Sequence, residues 1–490
     1  MEGLEIKEIS FKDLNVDNVK FRLDDEFYLK KYLNAYKKIK SKPNKQIIDI
    51  LEILSDFSAN GSYENIAKNF TLLDEKDFAY MVRTTDLEKS DYTNNVKYVS
   101  EHSYHFLEKS KLFGGELLIN KIGSPGRVYI MPDLGIPVSL GMNLFMLRIS
   151  KESGFKEKYI WAFLNSDFGQ KIIQRKVNGT VPLTIDKEAI KTLYIPNASL
   201  NFQFKIDELI NNSEACFKKS QGIYTQAEIL LLKTLGMADF TPSSEAVNIK
   251  SFKDSFAASG RLDAEYYQPK YEEVVAHIKA QAYQHLIDLV DIQKSVEPGS
   301  DAYCEDGEAG LPFLRVADYS KQGLTPPQKQ LKSSYVSENW DKLNALKPRK
   351  NTILFSKDGS VGEAYCLTED LEAVTSGAVL HLSVKNTDVL LPEYLTLALN
   401  SKLVKMQSER DAGGSIILHW RVSEIENVVV PLVNMAIQQQ IADLVQQSFT
   451  LKAHSTHLLD VAKRAVEIAI EQDEAAAMAF IECEVNDDNE

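Results

Sequence analysis

Two long stretches of this chain repeat apolar residues at every seventh position. Between residues 203 and 235, Leu209, Cys216, Ile223 and Leu230 form one row, and Ile210, Phe217, Tyr224 and Leu231 the row beside it. A third row is small: Ser213, Ser220 and Ala227. Between 438 and 470 the rows return as Leu444, Leu451, Leu458 and Ala465, then Val445, Lys452, Leu459 and Val466, with a small row at Ser448, Ser455 and Ala462. Heptads sustained this long without proline predict a coiled-coil-like helix in each stretch. Gly236 and Pro242 mark the end of the first. Small residues let helix backbones approach closely, so the shared small rows predict that the two helices pack on each other, as an antiparallel pair.

The rest of the chain alternates short β-rich runs with short helical ones. Leu117-Leu118-Ile119 and Ile353-Leu354-Phe355 read as strands, as do Val128-Tyr129-Ile130 and Ala364-Tyr365-Cys366. Tyr159 to Leu164 and Tyr394 to Leu399 read as short helices. This mixture predicts an α+β fold. The pairs are no accident, because the chain is written twice. Arg22-Leu23-Asp24 with Glu26, Phe27, Tyr28 and Tyr32 returns as Arg261-Leu262-Asp263 with Glu265, Tyr266, Tyr267 and Tyr271. Tyr98-Val99-Ser100-Glu101, Lys121-Ile122-Gly123-Ser124-Pro125-Gly126, Leu164-Asn165-Ser166 and Pro196 all have later partners in the same order, with an offset drifting only from 239 to 235. Two copies in one chain predict a pseudo-dimer with approximate two-fold symmetry.

Composition narrows the classes. At 490 residues, 44% hydrophobic and 26% charged, the chain fits several ordinary globular units. No run of about 18 apolar residues predicts a membrane span, and the acidic start Met1-Glu2-Gly3-Leu4-Glu5 is no signal peptide. Cys216, Cys304, Cys366 and Cys483 are isolated. That argues against structural zinc and suits free thiols in a reduced cytosol. The net charge of −14 is unlike a nucleic-acid binder, but it is unevenly spread. Residues 465–490 hold nine acidic and no basic residues, whereas residues 1–240 hold 33 basic and 32 acidic. The last residues, Glu482 to Glu490, read as a frayed, solvated tail.

No catalytic constellation is found. P-loop, dinucleotide, methyltransferase, zinc-protease and serine-hydrolase signatures are all absent. Three repeated segments hold the candidate contacts. Lys121 and Lys357 precede the glycine–serine loops, which read as tight turns needing positive φ and, compatibly, as cradles presenting N–H groups and a lysine to phosphate. Ser124, Arg127 and Ser360 belong to the same loops. Arg83, with Thr84, and Arg315 each follow an apolar strand. Each arginine can hold an aspartate of its own domain or fork onto guanine. The polar segments Lys176-Val177-Asn178-Gly179-Thr180 and Gly413-Gly414-Ser415, the latter followed by His419-Trp420-Arg421, differ in side chains while their frame repeats. Two readers of different base sequences would look like this, and so would drifting loops.

At these blocks the chain resembles the specificity subunit of type I restriction–modification systems over nearly its whole length. The arginine–leucine–aspartate opening, strand–arginine segment, lysine–glycine–serine loop, Leu-Asn-Ser, and Ile-Pro or Val-Pro closing into a long helix occur in family order, twice. The resemblance implies target recognition domains at 1–199 and 241–433, spacer helices at 200–240 and 434–472, and an acidic C-terminal tail at 473–490. It implies a non-catalytic subunit without cofactor or metal that reads a bipartite double-stranded DNA site. Its expected partners are two DNA adenine methyltransferase subunits, which bind the methyl donor, and a restriction translocase. The location is cytoplasmic and no membrane is involved. Gln203 and Gln438 match the family's glutamine at the helix start, whereas Phe202 and Ile437 stand where it carries glutamate. A related methylation-linked phage-defence system fits this departure. The rival reading is a two-domain interaction scaffold that binds no DNA.

Overall fold

The computed structural model describes residues 8–10, 14, 17–18, 20–93, 96–179, 182–245, 247–304, 308–414 and 417–487. It divides into two units, 1–214 with 455–490, and 215–454.

The first unit holds a four-stranded antiparallel sheet in the order Leu51–Asp56, Leu144–Ile149, Leu117–Asn120, Val128–Ile130. Every residue of Leu117–Asn120 is buried, as expected for a central strand covered on both faces. A second sheet orders Lys97–Val99, Ala79–Val82, Val138–Leu140 and Lys111–Leu112, with one parallel pair. The second unit repeats the first sheet as Val290–Lys294, Val379–Val384, Ile353–Ser356, Ala364–Cys366. The registers correspond: Leu117 faces Leu147, and Ile353 faces Leu382.

The repeated sequence blocks are joints between these elements. In Leu-Asn-Ser, Asn165 donates Nδ2 to the Val128 carbonyl at 3.0 Å, and Asn400 does the same to Ala364 at 2.7 Å. Each amide ties a helix to the strand after the glycine–serine loop. The closing prolines accept from buried tyrosines, Tyr159 to Pro196 at 3.0 Å and Tyr394 to Pro431 at 2.8 Å. Gln203 and Gln438 anchor the start of each long helix. Their Oε1 atoms accept from the N–H groups of Lys156 and Leu391 at 2.8 and 3.0 Å, and their Nε2 atoms donate to Ala198 and Val433, both at 2.9 Å.

The long helices run Leu200–Thr234 and Met435–Glu471. In the first unit Ser213 and Ser455 meet hydroxyl to hydroxyl at 2.8 Å, and in the second Ser220 and Ser448 meet at 3.1 Å. One partner number rises as the other falls, as in an antiparallel pair. All four serines are buried, so the small rows do form the seam. Each seam hydroxyl has a partner, which removes the cost of burying it.

The acidic tail expected at 473–490 is corrected. Glu474–Asp487 is a helix, and Ala477 and Ile481 are buried in the first unit's core with Leu458, Val461 and Val466. Asp473 caps it by accepting from the Ala476 N–H at 2.9 Å. Ala477, Phe480, Ile481 and Val485 give it an apolar stripe at helical spacing, which the surrounding carboxylates hide in a charge count.

Candidate nucleic-acid interface

The glycine–serine loops and the polar loops lie side by side in both units, held by matching backbone hydrogen bonds. In the first unit the Gly123 N–H donates to Leu183 at 3.1 Å, and the Ile185 N–H to Lys121 at 3.0 Å. In the second the Gly359 N–H donates to Leu418, and the Trp420 N–H to Lys357, both at 2.8 Å. Each polar loop closes on itself through a bridge, Asn178 with Thr184 and Gly413 with His419. The tight-turn reading holds: Gly126 and Gly362 have φ of +92° and +77°, and both N–H groups close the turn at 2.9 Å, on Asn120 and Ser356. A Cβ on Gly126 would sit 2.3 Å from the Ile173 side chain.

Side chains on this common frame differ. Ser124, Ser360, Arg127, His419 and Arg421 are exposed. Arg127 lies 3.5 Å from Glu88, an open surface pair. His419 is 2.9 Å from Asp358, and the Arg421 guanidinium is 80% exposed with Glu424 no nearer than 4.0 Å. Asn178 is half-buried and donates Nδ2 to the Lys176 carbonyl at 3.3 Å. Thr180 and Ser415 lie outside the described residues.

Several candidates are engaged within the protein. Lys176 is 8% exposed, donates to Asp17 at 2.9 Å and Thr192 at 2.9 Å, and so is part of the interior rather than the polar loop. Burial pushes its ammonium below the usual lysine range. Lys121 donates to Asp56 at 3.0 Å, and Lys187 takes the same carboxylate at 2.6 Å. Burial of Asp56 is outweighed by these lysines and Ser58, which hold its carboxyl below the ordinary range. Lys357 pairs with its neighbour Asp358. Arg83 pairs with buried Asp86 at 2.7 Å, whose other oxygen accepts from Tyr80 at 2.7 Å. That hydrogen bond to Asp86 raises the Arg83 pKa. Arg315 holds Asp318 at 3.3 Å. The own-domain aspartate is therefore the arginine's partner in both copies. Thr84 is half-buried, with its hydroxyl 3.4 Å from Asn120, the residue that braces the loop by donating to Ser124 at 3.0 Å.

The residues that hold the polar loops in place lie outside the loops and carry no motif that marks them as such. Arg22 donates to the Val177 carbonyl at 2.7 Å, and Arg261 to that of Asp411 at 2.8 Å, at the entry of each loop. Each arginine also stacks on an aromatic ring that carries a second arginine on it. Arg22 and Arg175 lie 5.0 and 4.1 Å from Phe27, and Arg261 and Arg410 lie 4.5 and 5.2 Å from Tyr266. The doubled arginine–leucine–aspartate block was the available signal. Its role as a loop clamp needs the fold.

Residues 283–461 match the family model described as the type I restriction modification DNA specificity domain. No curated protein sequence matches the chain. Among solved structures, the S subunit of a type I restriction–modification system from M. genitalium is similar at 13% identity, covering 87% of this chain and 95% of that one, with a TM-score of 0.37. The HsdS subunit from Thermoanaerobacter tengcongensis is similar at 14% identity, over 88% and 96%, with a TM-score of 0.28. The family match falls on the second copy and most of its long helix, and the first copy repeats that copy's joints, loop hydrogen bonds and arginine stack. Residues 283–461 thus match the type I restriction modification DNA specificity domain, and the first copy shares the second copy's framework.

Proposed function

We propose that the chain is the DNA-recognition subunit of a type I restriction–modification system, or of a related methylation-linked phage-defence system. It reads a bipartite double-stranded site, one half with each copy. The observation that carries this reading is the paired loops, whose backbone is the same twice while the exposed side chains are not. Groups repeated in both copies suit phosphate contact, which carries no direct sequence information, and groups that differ suit base edges. Arg421 and His419 are the base-reading candidates of the second copy. Ser124 and Ser360, repeated in both copies, are the backbone-contacting ones, and Arg127, whose counterpart is Glu363, is the base-reading candidate of the first copy. The subunit is not itself a catalyst. It positions DNA adenine methyltransferase subunits, two of them matching the two copies, and a restriction translocase joins the same assembly.

Affinity for matched and mismatched duplexes at two salt concentrations tests this. Arg421→Ala is expected to lose about 1–3 kcal/mol of preference at one half-site only. Arg127→Ala is expected to lose a similar preference at the other half-site, and Ser124→Ala with Ser360→Ala to weaken all duplexes alike. Duplex affinity that is absent, or indifferent to salt, would return the chain to the scaffold reading that its net charge of −14 favours.

A further inference from the structure

The two copies differ at the end of the sheet away from the glycine–serine loop. In the first unit that end is plugged. Glu116, buried just before Leu117–Asn120, pairs with Arg148 at 3.1 Å and accepts from the N–H groups of Phe113 and Gly114 at 3.0 and 2.9 Å. The Arg148 guanidinium lies 4.9 Å from the Phe113 ring.

The corresponding residues of the second unit are fixed by matching hydrogen bonds. The Gly115 N–H donates to Met131, and the Met131 N–H to Glu116, at 2.7 and 2.8 Å. The Asn351 N–H donates to Leu367, and the Leu367 N–H to Thr352, at 2.8 and 3.0 Å. Gly115 and Asn351 both have positive φ, +90° and +67°. Thr352 thus stands for Glu116 and Arg349 for Phe113. The strand register puts Ser383 in the place of Arg148. Two long charged side chains have become two short hydroxyls, and the ring has become a guanidinium.

The result is an open cleft of about 480 Å³ in the second unit, lined by Thr352, Ser383, Lys347, Arg349 and Lys350 among others. No described lining residue is a carboxylate. Lys347, its side chain mostly buried, pairs with exposed Glu372 at 2.5 Å. Exposed Arg349 pairs at 3.0 Å with Asp370, which also accepts from the Lys350 N–H at 2.8 Å. The exposed Arg349 pair is of the kind that yields readily to a stronger anion. Lys350 is exposed. The cleft is within the size of small-ligand sites. It sits roughly 15 Å from the glycine–serine loop, at the other end of the strand that leads into it.

We propose that this cleft binds a phosphate-bearing ligand. Three cations within four residues supply charge and N–H donors, and the hydroxyls of buried Thr352 and exposed Ser383 supply short donors. The ligand is either a small free phosphate compound or the DNA backbone, and the first source does not depend on the DNA reading above.

The test uses the full chain, inorganic pyrophosphate as probe, and a short duplex of arbitrary sequence. The double variant Thr352→Glu, Ser383→Arg transplants the first unit's plug without changing net charge. Lys350→Glu, at an exposed position, serves as a second variant that does not disturb packing. Pyrophosphate binding to the native chain that falls at least tenfold in both variants supports the proposal with a small phosphate compound as ligand. Duplex affinity that falls at least threefold in both variants, without pyrophosphate binding, supports it with the DNA backbone as the source. Pyrophosphate and duplex affinities unchanged by the charge-neutral plug would overturn it.

Discussion

The two copies share a skeleton and differ in how they anchor it. In the first, the loop lysine Lys121 reaches Asp56, 65 residues earlier, which it shares with Lys187. In the second, Lys357 turns to its own neighbour Asp358. The backbone hydrogen bonds around both loops are nonetheless the same. Backbone pairing and buried apolar contacts therefore define the loop shape, and the side chains around it were free to diverge. The DNA-recognition role proposed above needs that freedom, because the frame must persist while the reading surface changes.

The sharpest break in the comparison lies in the core. The first unit is completed by the helix Glu474–Asp487, whereas in the second Leu235 and Met237 fill the position after the long helix. Ile481→Ala should cost the first unit about 2–5 kcal/mol and leave the second untouched. Hydrogen exchange resolved by residue would check this, and equal loss of protection in residues 353–384 would contradict it.

A second asymmetry is acid sensitivity. His381 of the second unit is buried, hydrogen-bonded to Thr375 at 2.8 Å, and burial pushes its pKa down to about 4. The matching position, opposite Leu118 rather than Leu354, is Met146. Below the ordinary histidine pKa the unfolded chain takes up a proton that the folded one refuses. The second unit's stability is thus full above pH ~6.5 and falls as pH drops towards 4, by up to about 3 kcal/mol. His381→Met should flatten that dependence in denaturant titrations across this range, and an unaltered pH profile would refute the assignment.

The helix seam offers a milder perturbation. Ser220→Leu and Ser213→Leu each overpack a buried serine pair and should cost about 1–3 kcal/mol in their own unit. Melting temperatures unaffected by either would mean that the seam tolerates bulk. The smallest effect is expected at Lys121. Asp56 keeps Lys187 when Lys121 is replaced by alanine, so stability should change by no more than about 1 kcal/mol. A larger loss would show that the two lysines act as one unit.

Much of this was legible in the sequence because it is local or doubled. Heptad rows predicted the helices, apolar runs flanking Gly-Ser predicted the strands, and repetition marked the joints. What stayed hidden depends on distant partners. Nothing near Lys176 announces that Asp17, 159 residues earlier, will bury it. Arg83 is the contrasting case, because its aspartate is three residues away and the pairing was readable. The C-terminal helix was missed because net charge says nothing about which face the acids occupy.

The division of the chain also bears on the order of its synthesis. Residues 215–454 form one uninterrupted unit, whereas the other needs residues 1–214 together with 455–490. The first unit's sheets leave the ribosome early, but the helical segment holding Leu458, Val461 and Val466 arrives about 240 residues later. At roughly 5–20 residues per second that is a wait of about 10–50 s. The half translated first is the half that matures last. Until then the apolar residues that this segment covers lack their partners, and a stop within residues 455–490 would release a chain whose second unit is finished and whose first is not.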